Sequence, residues 1–349
     1  MYQIKATDLY PSIPTDTPGL RDFVKKLESK NYLQQQPSKT IYHYTDAAGL
    51  LGMVENKNLW CTDIEYMNDA NELMYAENLI KNKITEIQKA NSEHTQFFEI
   101  LKKEAFRPFG EMYDVYVTCF SEAKNRLSQW RGYGKYCIGF NCEKPFRTNI
   151  HANLPSEWPK ARLRKVLYSR KRQEEIIIEI VEGLFALFKD HFENEKHDYD
   201  VVANWYGGNF SNLIFEYLIS FKDSTFEEEQ EWRLVHLDMK GDDRKKVEYR
   251  TRGDHLVPYI KSGIRVFDES KFKSEYRELH RSSDKYKKER VGFDEFMKGE
   301  GDFPINYVGI GPVNHLKIAH QSVTKMLQSN GFSNVKVEAT DSKIRSDWL

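Results

Sequence analysis

Apolar positions along this chain recur with two periods, and the switches between them outline the fold. In residues 17–27, Thr17 can cap a helix with Pro18 at its first position, and Leu20, Phe23, Val24 and Leu27 share one helical face. Gln34-Gln35-Gln36-Pro37 closes that segment as a linker, so residues 1–37 read as an N-terminal helical appendage to a main domain over 38–349. Ile41-Tyr42-His43-Tyr44 reads as a short strand, followed by a helix carrying Leu50, Leu51, Met53 and Val54. A second short strand, Leu59-Trp60-Cys61-Thr62, leads through the polar turn Met67–Glu72 into a helix with Leu73, Ala76, Ile80, Ile84 and Ile87 three and four apart.

The β-branched and aromatic runs Val115–Ser121, Tyr136–Phe140 and Trp232–Leu237 predict further strands, with another at Val247–Arg250. Residues 150–220 read as a helical insertion, with Ile177, Val181, Leu184 and Phe188 in one stripe. Residues 268–302 are charge-rich and read as a solvated insertion. The chain closes with a strand at Tyr307–Ile310, a helix placing Ile318, Val323 and Leu327 in its apolar pattern, and a strand at Val335–Val337. The expected fold class is α+β, with a split mixed or antiparallel sheet core and helices around it.

Composition narrows the function classes. The chain has 349 residues, enough for about two domains or one with insertions. Its 20 tyrosines and 21 phenylalanines can build a core. Lys plus Arg is 52 against 53 Asp plus Glu, a net charge of −1, which excludes a nucleic-acid binder that works by overall charge. No apolar run approaches about 18 residues, so no membrane span is expected. The N-terminus lacks a basic then apolar leader pattern, and the four cysteines form no CxxC pair. A cytoplasmic protein with reduced thiols is the expectation.

Four places carry candidate chemistry. His43 lies between Tyr42 and Tyr44, and strand alternation puts it on the face opposite both. It can face a cleft or serve as a structural hydrogen-bonding residue. Asn68-Asp69 with Glu72 can take part in a site or cap the following helix. Leu127 to Gly134 sets Trp130, Arg131 and Tyr133 beside glycines in a short connection, where rings can stack and the guanidinium can fork onto oxyanions; a packed loop anchored by Trp130 is the plainer reading. In Glu227–Arg233, period two puts Glu229 and Glu231 on one face, where like charges raise one pKa; a solvated acidic turn with a Glu231–Arg233 contact is the alternative. No GxSxG elbow, Walker A loop, HExxH motif or zinc-binding Cys/His spacing is present, and no metal is predicted.

The serial motifs resemble the bacterial DUF2971 family. They are Tyr42-His43-Tyr44-Thr45, Leu59-Trp60, Met67-Asn68-Asp69, Cys119-Phe120-Ser121, the Leu127–Gly134 segment, Ile138-Gly139-Phe140, Glu229-x-Glu231-Trp232-Arg233, Ile310-Gly311-Pro312, and Ser342 with Arg345. The order of a strand-borne His, a central Ser/Tyr segment and a late Glu also resembles the ADP-ribosyltransferases. That resemblance implies their split-sheet fold and NAD as substrate. It implies binding roles for His43, Tyr44, Thr45, Ser121, Trp130 and Arg131, and catalytic roles for Glu231, Glu229 and Tyr133. The implied activity is ADP-ribosyl transfer or NAD glycohydrolysis, in a toxin or anti-phage effector, with a protein or nucleic-acid acceptor. A non-catalytic sensor or binding module and a metal-dependent nuclease using His43, Asp69 and the acidic cluster are the alternatives.

Overall fold

The computed structural model describes residues 19–30, 32, 37, 39–67, 71–106, 113–143, 146–148, 162–194, 198–240, 247–266 and 303–340. Its centre is the antiparallel pair β3 (Tyr113–Ser121) and β7 (Glu231–Met239), matched along its whole length from Tyr113↔Met239 to Ser121↔Glu231. β7 also pairs β6 (Arg162–Lys165). The other edge of β3 is shared. β1 (Thr40–Thr45) meets it at Tyr42↔Ser121, whereas β2 (Leu59–Asp63) meets it at Thr62↔Val117 and Asp63↔Tyr116. The two strands therefore peel away from β3 in different directions. β1 continues the sheet through β4 (Tyr136–Asn141), β11 (Ile305–Ile310) and β12 (Lys336–Ala339). β2 continues it through β9 (His255–Ser262) and β8 (Glu248–Arg252). All these pairings are antiparallel except β11–β12, making a ten-stranded mixed sheet. β5 (Phe146–Thr148) and β10 (Ile264–Val266) form a separate two-stranded piece.

Alternation along β3 and β7 divides the core. Tyr113, Val115, Val117 and Val235 face a helical layer of α1 (Leu20–Ser29), α3 (Asn71–Ala90), α4 (Thr95–Glu104), α6 (Arg170–Asn194) and α7 (Tyr199–Leu218). Tyr116, Phe120, Trp232 and Leu234 face the opposite way, onto α2 (Ala47–Asn56) and α8 (Leu316–Ser329). Leu20 and Leu27 of α1 join the larger core cluster. Gly19, with φ of 85°, is the N-cap; Thr17 and Pro18 lie outside the described residues, as does the charged segment 268–302. Of the helical stretch expected over 150–220, residues 150–161 lie outside the described residues, Arg162–Lys165 form β6, and helix runs from Arg170. Ile318, expected on the apolar face of α8, is exposed. It lies five residues from Val323, off the face that Val323 and Leu327 share four apart. No described helix is long and apolar enough to cross a membrane.

The segment expected as a loop around Trp130 is instead α5 (Leu127–Tyr133), ended by Gly134 with φ of 134°. A Cβ on Gly134 would lie 2.3 Å from the Thr45 carbonyl oxygen, so glycine is what lets the end of α5 rest directly on β1. Trp130 is buried against Tyr44, ring centroids 4.8 Å apart, and its indole N–H donates to Asn125 Oδ1 at 3.0 Å. A Cβ on Gly311 would lie 2.7 Å from the indole, so the exit of β11 is fitted to it as well. Trp130→Ala is expected to cost about 3–5 kcal/mol of stability, measured by chemical denaturation.

Candidate functional site

β1 separates from β3 immediately after Tyr42, and a cleft opens there. It holds about 330 Å3 of space, solvent at its mouth included, and is lined by Tyr42, His43, Tyr44, Cys119, Phe120, Gln129, Tyr133, Glu229 and Glu231. Residues from the start and the middle of the main domain thus meet at one place. His43 occupies the gap left by the departing strand. Its Nδ1 lies 2.8 Å from the Cys119 carbonyl oxygen, and since a carbonyl only accepts, Nδ1 carries the proton. Nε2 then bears the lone pair. Burial, with a further contribution from the positive charge of Arg250, lowers the His43 pKa to about 4 against the bond to Cys119, so the ring is neutral near pH 7.

The acidic end of the cleft is a buried ion network. Glu231 Oε1 accepts from Arg233 Nε at 2.8 Å, and Oε2 accepts from Arg233 Nη2 and Lys222 Nζ, both at 3.0 Å. Lys222 also holds Glu72 Oε1 and Glu229 Oε2, each at 2.6 Å, and Arg233 Nη2 reaches Glu72 as well. Burial opposes ionisation of Glu231, but Arg233 and Lys222 outweigh it and hold the carboxyl well below its usual range. Burial likewise opposes the Lys222 charge, and Glu231, Glu72 and Glu229 override it. Glu229 differs. Burial raises its pKa, with Lys222 opposing and Glu231 adding to the rise. Its Oε1 faces the Tyr133 hydroxyl at 3.5 Å, too long for a strong bond.

The structure corrects how these two carboxylates come together. Glu229 closes a 3₁₀ turn, and Gln230 adopts a left-handed conformation with φ of 47° before β7 begins at Glu231. Period-two spacing therefore does not relate them; Lys222 between them does. The expected Glu231–Arg233 contact is present, but it is buried and does not belong to a solvated turn.

Other candidate residues support the walls. Ser121 Oγ donates to the Glu229 carbonyl and accepts from the Ala123 N–H at 2.9 Å, which pins the turn. The Tyr44 hydroxyl donates to the Ala123 carbonyl at 2.8 Å. Thr45 is buried beneath Gly134. Trp130 anchors α5 from behind, and Arg131 is exposed and does not line the cleft. Asn68, Asp69, Ser342 and Arg345 lie outside the described residues. Among the described residues no group of three His, Cys, Asp or Glu could hold a metal ion.

Sequence reasoning passed over three contributors. Lys222 follows the apolar run after α7, with no motif to mark it; its backbone carbonyl accepts from Gln173 at 2.9 Å. Tyr168 places its hydroxyl as acceptor for the Glu231 N–H at 2.9 Å. Gln129 carried one available signal: a helix over 127–133 puts it four residues before Tyr133, on the same face.

The network sets two stability tests. Glu231→Gln leaves Lys222 and Arg233 undercompensated in a buried place and is expected to cost about 3–5 kcal/mol by denaturant titration. Glu229→Gln, on the rim, is expected to cost about 1–3 kcal/mol. The pH dependence follows from His43. Between pH 6.5 and about 4 the unfolded chain binds a proton that the native imidazole refuses, so stability is full above this window and falls as pH drops through it. The loss is roughly 3 kcal/mol. Glu231 adds loss at lower pH, and the raised Glu229 carboxyl works in the opposite sense. His43→Asn keeps a donor for the Cys119 carbonyl and should flatten the slope in equilibrium unfolding between pH 7 and 4.

Residues 129–234 match the family model described as "Protein of unknown function (DUF2971)", a stretch that runs from the cleft face of α5 to the middle of β7. No curated protein and no solved structure matches the chain.

Proposed function

We propose that this cleft cleaves the nicotinamide–ribose bond of NAD, as an ADP-ribosyltransferase-like enzyme or an NAD glycohydrolase. The observation that carries the reading is the convergence of His43, Tyr133, Glu229 and Glu231 on one cleft from distant parts of the chain. Cleavage builds positive charge on the ribose, and a carboxylate fixed in a sheltered cleft stabilises it. We assign that role to Glu229. Both oxygens of Glu231 are taken by Arg233 and Lys222, so Glu231 acts by positioning Lys222 and through it Glu229. The raised pKa of Glu229 also suits it to take a proton from the attacking water or acceptor. The neutral His43 offers Nε2 as acceptor for a ribose hydroxyl, and Tyr44 and Tyr133 supply rings for the nicotinamide. Such an activity suits a cytoplasmic toxin or anti-phage effector whose acceptor is a protein or a nucleic acid.

The full pairing of Glu231 favours a second reading, in which the cleft binds its ligand without turning it over. One assay separates the two: nicotinamide release from NAD by purified protein, with and without cell extract as a source of acceptor or activator. Release is expected from the wild type, and Glu229→Gln should slow it roughly a few hundredfold. Wild-type release by Glu229→Gln would sink the catalytic assignment. No release by wild type in either condition would remove the catalytic reading and leave the binding one.

A further inference from the structure

Gln129 lines the cleft, is 6% exposed, and its carboxamide has no hydrogen-bond partner among the described residues. Its polar atoms face the solvent of the cleft, so a ligand with matching groups can replace the water there. The helix that carries it is held in place. α5 is fixed at its centre by Trp130 packed on Tyr44, and at its end by Gly134 lying against the Thr45 carbonyl. The amide presents two N–H donors and one carbonyl acceptor in a single plane. Groups that match such an edge with both an acceptor and a donor include a primary carboxamide and the edge of adenine.

The charge of the cleft decides between them. Glu72, Glu229 and Glu231 face Lys222 and Arg233, three carboxylates against two cations. The rings of Tyr42, Tyr44 and Tyr133 stand beside this excess negative charge. Aromatic rings next to a carboxylate attract a planar cation more than a neutral base. The cleft encloses little space behind its open mouth, so a ligand enters it by one ring and leaves the rest of a dinucleotide outside.

We propose that Gln129 is the specificity-determining residue of the cleft. It donates one hydrogen bond to, and accepts one from, the primary carboxamide of a cationic, N-substituted pyridine ring held among the tyrosines. This rests on the reading of the cleft as an NAD site and specifies which end of the dinucleotide enters and what reads it.

The test uses two small cations that differ at one atom. 1-Methylnicotinamide carries the carboxamide; 1-methyl-3-acetylpyridinium keeps the ring, charge and carbonyl and replaces the amide nitrogen by a methyl. In ligand-observed NMR titrations the wild-type protein is expected to bind the first at least about tenfold more tightly than the second. Gln129→Met, close in volume and checked for native thermal unfolding, should bind both alike, with the loss confined to the carboxamide. Equal binding of the two cations by wild type, binding of neither, or a preference that survives in Gln129→Met would overturn the proposal. The wild-type comparison needs no variant, so it decides the matter even if Gln129→Met does not fold. Selective binding without nicotinamide release from NAD would leave this site standing and remove the catalytic reading. Release without selectivity would do the reverse.

Discussion

Five charges, three of them buried, tie the parts of this fold to one another. Glu72 belongs to helix α3, Lys222 to the segment after α7, Glu229 to a 3₁₀ turn, and Glu231 and Arg233 to β7. Each cation touches at least two carboxylates, so no member can move without stranding another in a place that water does not reach. A buried network of this kind adds little net stability compared with apolar packing, but it is demanding about geometry. It sets the helical layer against the sheet at one height and turns the acidic side chains toward the cleft. The single excess carboxylate is the one on the rim, where a small ligand can approach it.

The cleft itself comes from a different constraint. β3 gives one edge to β7 and divides the other between β1 and β2, so two strands must depart from it in opposite senses. The carbonyl of Cys119 is exposed by that departure, and His43 takes it with a side chain. The histidine thereby closes the hydrogen-bond account of the sheet and gives the cleft a neutral ring with one free lone pair. Fold and site share the same residue because the irregularity of the sheet is the site.

Much of this was legible in the sequence, and the reasons are local. β-Branched and aromatic runs marked β3, β4 and β7, and three-and-four spacing marked α3 and α6. Strand β9 escaped because Pro258 and polar residues interrupt its pattern. It is a strand because β2 and β8 flank it on both sides. α5 escaped because its seven residues hold Ser128, Gln129, Arg131 and a glycine around Trp130, a composition that reads as a loop. Tertiary packing of the indole makes it helical. At the site, His43, Tyr133, Glu229 and Glu231 stood out by residue type and order. Lys222 did not, because a lysine after an apolar run looks like ordinary surface, and only the fold shows three carboxylates around it. Gln129 has a chemistry that is invisible until its neighbours fail to satisfy it.

The placement of β11 has a bearing on how this chain comes to be folded at all. That strand fills the space between β4 and β12, yet it lies far beyond β4 in the sequence, and its parallel partner must cross over through α8 to reach it. Contacts so remote are slow to form, because the entropy of closing a long loop comes before any reward. On the ribosome, β4 emerges long before its neighbour and waits with a bare, apolar edge that includes Ile138 and Phe140. An unpaired edge of that composition is a template for pairing with other nascent chains. The β11–α8–β12 unit is therefore the piece whose arrival covers that edge and closes the period in which it can pair wrongly.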